Sequence, residues 1–319
     1  MMRREPDDPR LARIVLRREL LAEGLNDRAI AQLVAQGALH RLRYGAYVDR
    51  TSWEACDDVG QHGLVARAAI KRARAAVVLS HVSALGEWDV PLWDTPLDTV
   101  HLTRVDQRAG RREAGVLQHL GELRDEDVVD LNGIEVTSPT RTALDSLTVM
   151  DTEHGVTLVS DLLHRDLTTP ELLESGRQFM EQWPGTLAQR LVLQLADGRC
   201  ESIGESRSLY LIYRQGLPKP VPQYPIKDAS GLVVAYVDFA WPELGVFLEF
   251  DGKIKYQKLL KEGESPTDVV LREKKREEMI CRLTGWRCIR ITWADLYHPE
   301  RTAAAIRKEL LRAGKPLAG

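Results

Sequence analysis

The sequence predicts an α+β protein built from several domains. Its 319 residues are more than one compact core usually holds, so two or three domains are expected. Segments with the 3.6-residue period of helices and segments with the two-residue period of strands both occur along the chain. The hydrophobic fraction of 44% and the charged fraction of 29% are typical of a soluble globular protein.

The cysteines and the apolar segments favour the cytoplasm. No apolar stretch approaches the length of a membrane span, and the opening residues, MMRREPDDPR, contain no apolar signal core. The cysteines are scattered without a CxxC pair, which argues against a zinc site and a disulfide framework. They are Cys56, Cys200, Cys281 and Cys288. We therefore expect a cytoplasmic protein without a membrane partner.

Residues 1–52 are predicted to form a winged helix-turn-helix domain. Helical periodicity is broken at Gly24. Asn26 is a suitable N-cap for a second helix, which Gly37 ends. The alternating stretch LHRLRYGAYV, with a turn at Gly45, then predicts a small β-wing. Helix, turn, helix and basic wing, in that order, is the layout of a winged helix-turn-helix.

Four side chains of this domain are candidate DNA contacts. In a winged helix-turn-helix, Arg28 and Gln32 of the helix 27–36 would face a major groove. Arg41 and Arg43 would reach phosphates from the wing. Helix-turn-helix shapes also occur in proteins that bind no DNA, so the sequence leaves both possibilities open.

Charge is distributed unevenly, although the net charge is only −3. Residues 1–50 contain ten arginines against seven acids, and residues 253–290 contain eleven lysines or arginines against six acids. Two basic segments separated by a more acidic middle suit a protein that meets nucleic acid at particular faces, and double-stranded DNA is the partner expected together with the winged helix. The alternative is that these segments are ordinary solvated helix faces.

Residues 53–197 are predicted to form a mixed α/β middle domain. The predicted elements are a helix in CDDVGQHGLVARAAIKRAR, a strand and a helix in AVVLSHVSALGEWDV, a strand in LDTVHLTR, a strand and a helix in GIEVTSPTRTALDSLTVM, and helices over 153–164 and 169–196. Three histidines of this domain lack metal-ligand spacing, and we expect them to be structural: His81, His101 and His119.

Residues 198–319 are predicted to form a third domain with the order α-β-β-β-α-β-α around a mixed sheet. The segments are the helix ESIGESRSLYLIYRQGL, the strands PQYPIK, GLVVAYVDFAW and GVFLEFDG, the basic helix TDVVLREKKREEMICRLTGW, the strand RCIRIT and the helix PERTAAAIRKELLRA. The second and third strands form the hairpin YVDFAWPELGVFLEFDG.

This hairpin carries a cluster of acids. If its strands pair symmetrically about Glu243 and Leu244, residues whose numbers sum to 487 face each other, so that Asp238 faces Glu249. Asp251 lies on the same face as Glu249. Because like charges opposite each other destabilise a sheet, the cluster needs a compensating cation.

The compensating charge predicted from residue types is a metal ion. Glu201 and Glu205, four residues apart, share a face of the preceding helix. Oxygen ligands of this kind suit Mg²⁺ or Mn²⁺, which can activate water and stabilise charge at phosphorus. Lys255 follows the hairpin and would add positive charge. The alternative is solvated acids, or acids paired with Arg272 and Lys275.

Three segments around this hairpin resemble PD-(D/E)xK domains related to very-short-patch repair endonucleases. They are ESIGESRSLYLIYRQGLPKP, YVDFAWPELGVFLEFDG and LREKKREEMICRLTGWRCIRIT, over about residues 198–297. The resemblance implies a restriction-endonuclease-like fold. It makes Glu205 the helix acid, Asp238 the motif aspartate and Glu249 the second motif acid.

The sequence departs from this family at the motif lysine. That lysine would stand at position 251, where the chain has Asp251. Relatives with ExDG commonly place a histidine a few residues later, where this chain has Lys255. The resemblance thus implies a catalytic set and an overlapping metal set for Mg²⁺ or Mn²⁺. These are Glu205, Asp238, Glu249 and Lys255 for catalysis, and Asp238, Glu249 and Asp251 for the metal.

A second resemblance covers about residues 8–150. The winged-helix segment, LSHVSALGEWDVP and GIEVTSPTRTALD resemble AbiEi-type antitoxins of type IV toxin–antitoxin and phage-defence loci. In that family the winged helix binds operator DNA and represses the protein's own operon. The resemblance implies operator DNA as a partner, and a nucleotidyltransferase-like toxin encoded nearby that is generally opposed without a stable complex.

Three functions follow from the sequence. The first is a DNA-binding regulator of antitoxin type, whose nuclease-like domain is a scaffold or a further DNA-binding surface. The second is an active Mg²⁺- or Mn²⁺-dependent DNA endonuclease guided by the winged helix. The third is a protein–protein adaptor that uses neither site. We expect the first and keep the second as its main alternative.

Overall fold

The computed structural model describes residues 3–106, 108, 110–252 and 266–313 as a multidomain α+β chain. The chain packs into two compact units. The first comprises Met1–Leu158 and Leu167–Arg190, and the second comprises Val159–Asp166 and Leu191–Gly319. Within the described part of the chain, no helix has both the length and the apolar character needed to cross a bilayer.

The first unit begins with a small antiparallel sheet and short helices. In order these are β1 (Val15–Leu16), α1 (Arg17–Ala22), α2 (Asp27–Ala35), β2 (Leu39–Arg43), β3 (Ala46–Asp49) and α3 (Arg50–Glu54). The strand order is β1-β3-β2. Leu20 of α1, Ile30 of α2 and Tyr47 of β3 are buried together, which holds the helices on the sheet.

The turns of this segment lie where the sequence places them. The Asn26 side chain accepts a hydrogen bond from Ala29 N at 2.9 Å and so caps α2. Gly45 joins β2 to β3 with a φ of 68°, in the left-handed region that favours glycine. The prediction that the chain before Gly24 is helical holds only from Arg17, because Val15 and Leu16 pair with β3 instead.

The larger part of the first unit is a six-stranded mixed sheet with helices. Its elements are α4 (Asp58–Arg72), β4 (Val77–Leu79), α5 (His81–Leu85), β5 (Val100–Arg104), β6 (Arg111–Glu113), β7 (Val116–Leu120), β8 (Val128–Leu131), β9 (Ile134–Thr137), α6 (Pro139–Ser146), the first half of α7 (Thr152–His164), whose residues from Val159 onward belong to the second unit, and α8 (Pro170–Phe179). The strand order is β6-β7-β5-β4-β9-β8. The β5–β7 and β4–β9 pairs are parallel, and the other pairs are antiparallel.

Two predictions for this region were wrong. The single helix predicted over 169–196 is interrupted, since α8 ends at Phe179 and α9 (Gln189–Leu195) starts only after a turn. Pro184 cannot donate a helical hydrogen bond, and Gly185 has a φ of 81°. The strands β6, β7 and β8 were not predicted, because their sequences RRE, VLQHL and VVDL are too short and polar to show a period of two.

The second unit contains a four-stranded sheet between helices. Its elements are α10 (Ile203–Arg214), β10 (Val221–Lys227), β11 (Val233–Trp241), β12 (Val246–Asp251), α11 (Pro266–Thr284), β13 (Arg287–Thr292), α12 (Trp293–Leu296) and α13 (Pro299–Ala313). The strand order is β10-β11-β12-β13, and only β12–β13 is parallel. Among the described residues of this unit, the predicted order α-β-β-β-α-β-α is present, with the short α12 added.

Both faces of this sheet are covered. One core contains Phe239, Leu248 and Ile291, and the other contains Phe247 and Ile280. Because both faces of this hairpin are buried, its polar side chains can be accommodated only at the ends and edges of the sheet. That constraint gathers the acids of β11 and β12 into one place.

Candidate functional site

The hairpin β11–β12 has the predicted register. Phe239 pairs with Leu248, and Trp241 pairs with Val246. Asp238 immediately precedes Phe239 in β11 and is 8% exposed. Its Oδ2 accepts a hydrogen bond from Phe250 N at 2.7 Å. The carboxylate is therefore partly satisfied by the neighbouring strand, which stabilises its buried position.

Among the described residues, arginine side chains lie beside the other two acids. The Glu249 carboxylate lies 3.3 Å from Nη2 of Arg276, on α11. The Asp251 carboxylate lies 3.6 Å from Nη1 of Arg290, on β13. Arg276 also donates a hydrogen bond to Tyr236 O. Arg276 lies on α11, the helix that the alternative prediction named.

Glu205 is held at the start of α10 by hydrogen bonds. It is 1% exposed and accepts hydrogen bonds from Glu201 N at 2.9 Å, Ser202 Oγ at 2.7 Å and Gln223 Nε2 at 3.1 Å. This is the arrangement of a capping residue, in which a carboxylate satisfies backbone donors and complements the helix dipole. The described contacts give Glu205 a structural role.

An open pocket of about 480 Å³ joins the acids of the hairpin with both arginines. Its polar lining is Glu201, Gln223, Asp238, Glu249, Asp251, Glu273, Arg276 and Arg290. The hairpin acids therefore share one cavity, as the sequence predicts. Lys255 lies outside the described residues.

The arrangement of the acids suits a metal ion with few protein ligands and does not suit a compact site of three carboxylates. Within the described part of the chain, the groups of three or more His, Cys, Asp or Glu whose ligand atoms all lie within 4.8 Å of one another do not include Asp238, Glu249 and Asp251. A compact three-carboxylate site does not match this arrangement. A Mg²⁺ or Mn²⁺ ion held by one or two carboxylates, with waters and a substrate phosphate completing its shell, does match it.

The candidate DNA contacts of the first unit are found in two environments. Arg28 and Gln32 are exposed on α2, four residues apart and therefore on one face. Arg41 is exposed, and its guanidinium lies 5.6 Å from the ring centre of Tyr44. Arg43 is half-buried and donates a hydrogen bond from Nη2 to Ala114 O at 3.0 Å.

Arg43 opens onto a basic groove that the sequence did not predict. We use the name arginine groove for this cavity of about 670 Å³. Its charged lining is Arg43, Arg72, Arg74, Arg104, Arg108, Asp106 and Glu113, with Tyr44 at its side. The groove joins the β2–β3 hairpin to the end of α4 and to the six-stranded sheet. Residues from four separated segments meet there, so no local sequence pattern marks it.

Positive charge in the arginine groove is only partly neutralised. Arg104 pairs with Asp106 at 2.6 Å and holds the pKa of that carboxyl at about 2. Burial, and then the positive charge of Arg72, lowers the pKa of Arg43. The Tyr44 side chain at the side of the groove is 73% exposed, and Arg72 lies 5.9 Å from its ring centre. An exposed aromatic ring beside several arginines can receive a phosphate and a base together.

The three histidines that the sequence left without a role lie together. His101 and His119 share a hydrogen bond of 2.9 Å between Nδ1 and Nε2, and His81 stacks on His119 with ring centres 3.7 Å apart. His81 begins α5 with a φ of 52°, which is uncommon for this residue type. The spacing of these histidines in the sequence gives no signal because three different elements carry them.

The histidine cluster is better suited to neutral imidazoles than to a metal. The ligand atoms lie within 4.8 Å of one another, but the rings of His81 and His119 are stacked with only 16° between their planes. Nitrogen lone pairs lie in the ring plane, so two stacked rings cannot point at one ion. Burial lowers the pKa of His101 and that of His119 to about 4, which keeps both neutral at pH 7.

Comparisons with known proteins give relatives but no family. No family model matches the chain. Over 130 residues the chain is 35% identical to two proteins of Mycobacterium tuberculosis, "Uncharacterized protein MT2308" of strain CDC 1551 and "Uncharacterized protein Rv2248" of strain H37Rv. The match covers 40% of this chain and 44% of each relative, less than half the length of the relatives.

One solved structure is similar over much of the chain. It is the crystal structure of the RV2827C protein from Mycobacterium tuberculosis, with a TM-score of 0.40 and 17% sequence identity. The similarity covers 67% of this chain and 79% of that chain. At this distance the likeness carries no argument about fold or function.

Proposed function

We propose that the protein is a DNA-binding transcriptional regulator, and the arginine groove is the observation that carries this proposal. Five arginines face two acids in one cavity, beside the exposed ring of Tyr44. DNA phosphates are the natural counter-charge for such a surface, and an aromatic ring can stack on an exposed base or lie along a sugar. A protein–protein adaptor has no need of this excess positive charge.

The first helices and strands support the same proposal. The order β1-α1-α2-β2-β3, with a sheet order of β1-β3-β2, agrees with a winged helix-turn-helix. Arg28 and Gln32 are then the side chains of the recognition helix that read base edges. Arg41 and Arg43 contact phosphates from the wing and fix the position of that helix.

The biological role that we propose is that of a type IV antitoxin-like repressor of its own operon. The support is the resemblance of residues 8–150 to that family and the basic surface described above. The second unit, for which we propose a restriction-endonuclease-like fold, then serves as a scaffold or as a further DNA-binding surface. A nucleotidyltransferase-like toxin encoded nearby is the proposed functional partner.

A specific observation favours one alternative, a metal-dependent DNA endonuclease. The pocket that holds Asp238, Glu249 and Asp251 also contains Arg276 and Arg290. Carboxylates would hold Mg²⁺ or Mn²⁺, which would supply an activated water when bound. The two arginines would bind the negative charge of a phosphate in the same pocket.

The regulator proposal is tested by the salt dependence of DNA binding. We expect Arg43→Gln with Arg72→Gln to weaken binding of the protein's own promoter and of a scrambled duplex alike. The slope of log K against log salt should become shallower by about two, roughly one for each phosphate that no longer has a cationic partner. Fluorescence anisotropy over a salt series measures both quantities.

The controls separate charge from sequence reading. Arg177→Gln with Arg312→Gln removes the same net charge from helix ion pairs outside the groove and should leave the slope unchanged. Arg28→Ala with Gln32→Ala should reduce the preference for the promoter over the scrambled duplex, without a matching loss of affinity for the latter. A groove variant with the wild-type slope would contradict DNA binding by the arginine groove.

A further inference from the structure

A second cavity lies inside the first unit, separate from the arginine groove. Its volume is about 190 Å³. The polar and aromatic lining includes His81, Thr103, His119, Arg141, Asp145 and Trp183. These residues come from α5, β5, β7, α6 and the turn after α8, so the cavity is built by the fold of the whole unit. The proposed DNA-binding function makes no use of it.

Asp145 presents an unsatisfied acceptor in this part of the unit. The residue is 2% exposed, and its Oδ1 accepts a hydrogen bond from Arg141 Nε at 2.8 Å. Its Oδ2 is buried and has no hydrogen-bond partner among the described residues. Leaving a buried carboxylate oxygen without a donor is unfavourable, and native structures rarely do so without an ion, a water or a ligand nearby.

Arg141 cannot turn to satisfy that oxygen, because it is held in place. Its Nη1 donates to Glu122 O at 2.7 Å and to Asp127 Oδ2 at 3.0 Å. Its guanidinium also lies 4.8 Å from the ring centre of Trp183. These contacts hold the buried Arg141 side chain in one position at the cavity surface. The second carboxylate oxygen of Asp145 can therefore accept a hydrogen bond from another donor.

The charge balance excludes a simple anion site. Buried Arg141 is paired with Asp127 and with Asp145, and the partly exposed Arg124 is also paired with Asp127, so two guanidinium groups balance these two carboxylates. The neutral rings of His81 and His119 add hydrogen-bonding atoms but no charge. A ligand for this cavity is therefore neutral overall and carries a hydrogen-bond donor for Asp145.

Size and shape restrict the ligand further. An apolar cavity of about 150 Å³ in another protein admits benzene, so a cavity of about 190 Å³ admits one small ring system. The stacked imidazoles and the indole of Trp183 give it flat walls. We propose that this cavity binds a nucleobase-type heterocycle, whose amino group or ring N–H donates to Asp145 Oδ2 while its ring lies against the aromatic walls.

Binding of free bases to the full-length protein tests this inference. Adenine, cytosine and uracil are the probes, toluene is the apolar control, and a short single-stranded oligonucleotide tests whether the base can arrive as part of a nucleic acid. We expect at least one base to bind to the wild-type protein by calorimetry. Asp145→Asn replaces one accepting carboxylate oxygen by a donating amide group at nearly constant volume. It should weaken that binding about tenfold or more.

Asp161→Asn is the matched control, since Asp161 is a partly buried aspartate that pairs with Arg165 in the second unit. It should leave base binding unchanged. If Asp145→Asn fails to fold, the imidazole resonances of His81 and His119 in the wild-type protein give a second readout, and they should shift when the base is added. The inference would be overturned if toluene bound and no base did, if no probe bound and the cavity held only water, or if a base bound Asp145→Asn as tightly as the wild-type protein. DNA binding through the arginine groove would be unaffected by any of these results.

Discussion

Two of the acids in the second unit each lie beside a single arginine side chain. Glu249 and Asp251 are compensated by Arg276 and Arg290, which lie on elements far from the hairpin in sequence. An ion pair open to a pocket is worth little to stability and leaves its groups able to bind something else. The same side chains can therefore neutralise each other in the free protein and accept a metal-bound phosphate as ligand.

The endonuclease alternative makes a prediction at this scale. If it is correct, purified protein with Mg²⁺ or Mn²⁺ should cleave supercoiled plasmid or single-stranded DNA, and Asp238→Asn with Glu249→Gln should abolish the cleavage. The reason is that these two carboxylates are proposed both as metal ligands and as catalytic acids, and the variant removes their charge. Gel electrophoresis of the products measures the outcome.

The matched control is Asp228→Asn with Glu243→Gln, which makes the same charge change in a turn and at the hairpin tip. Cleavage should persist in this control. Absence of cleavage by the wild-type protein, with promoter binding intact, would refute the endonuclease alternative and leave the regulator proposal unaffected.

At the scale of elements, the contact between α10 and β12 positions the capping carboxylate. Gly204 lies so close to the Phe250 ring that a Cβ at this position would overlap it. We expect Gly204→Ala to destabilise the second unit by about 1–3 kcal/mol, because the buried aromatic ring has no room to move. Chemical denaturation followed by circular dichroism gives the change in the free energy of unfolding.

Gly63 provides a control of opposite sign. It lies within α4, and a Cβ there would contact nothing within 4 Å. Gly63→Ala should therefore stabilise the protein by about 0.5–1 kcal/mol, since alanine is the better helix former. A Gly204→Ala variant as stable as the wild type would show that α10 is not held against β12 in this way.

The same scale shows which parts of the fold the sequence can predict. Local signals predict their elements well. Asn26 caps α2, Gly45 lies in a turn, and the hairpin β11–β12 pairs in the predicted symmetric register. Elements without a local signal were missed or merged, as in the strands β6 to β8 and the interrupted helix after Phe179. Their formation depends on partner strands and on packing that no short window contains.

The candidate sites follow the same rule. The acids of the hairpin could be predicted to lie together because they share one local element. The arginine groove, the histidine cluster and the cavity around Asp145 were missed because each combines residues from several segments. Sequence spacing contains no information about such groups unless the complete topology is known.

At the scale of the whole molecule, the buried histidines link stability to pH. Burial lowers the pKa of His101 and His119 to about 4, and that of His81 well below its usual range. In the unfolded chain they titrate at about 6.5. Between these values the unfolded state binds more protons, so the free energy of unfolding falls as the pH falls. Asp145 acts in the opposite direction, because burial raises its pKa to about 6 and the folded state then keeps a proton that the unfolded state loses.

We therefore expect the wild-type protein to lose stability from about pH 6.5 toward pH 4, by about 1 kcal/mol or more for each histidine. His101→Gln with His119→Gln should flatten this dependence, even if it lowers stability at neutral pH. Asp145→Asn should steepen it, because the opposing carboxyl is removed. Denaturant titrations at about pH 7.5, 6.5, 5.5 and 5 give the slopes, and His298→Gln, at an exposed position, should keep the wild-type slope. A wild-type stability that is constant across this range, or a double variant with an unchanged slope, would show that the histidine cluster stays able to accept protons in the folded protein.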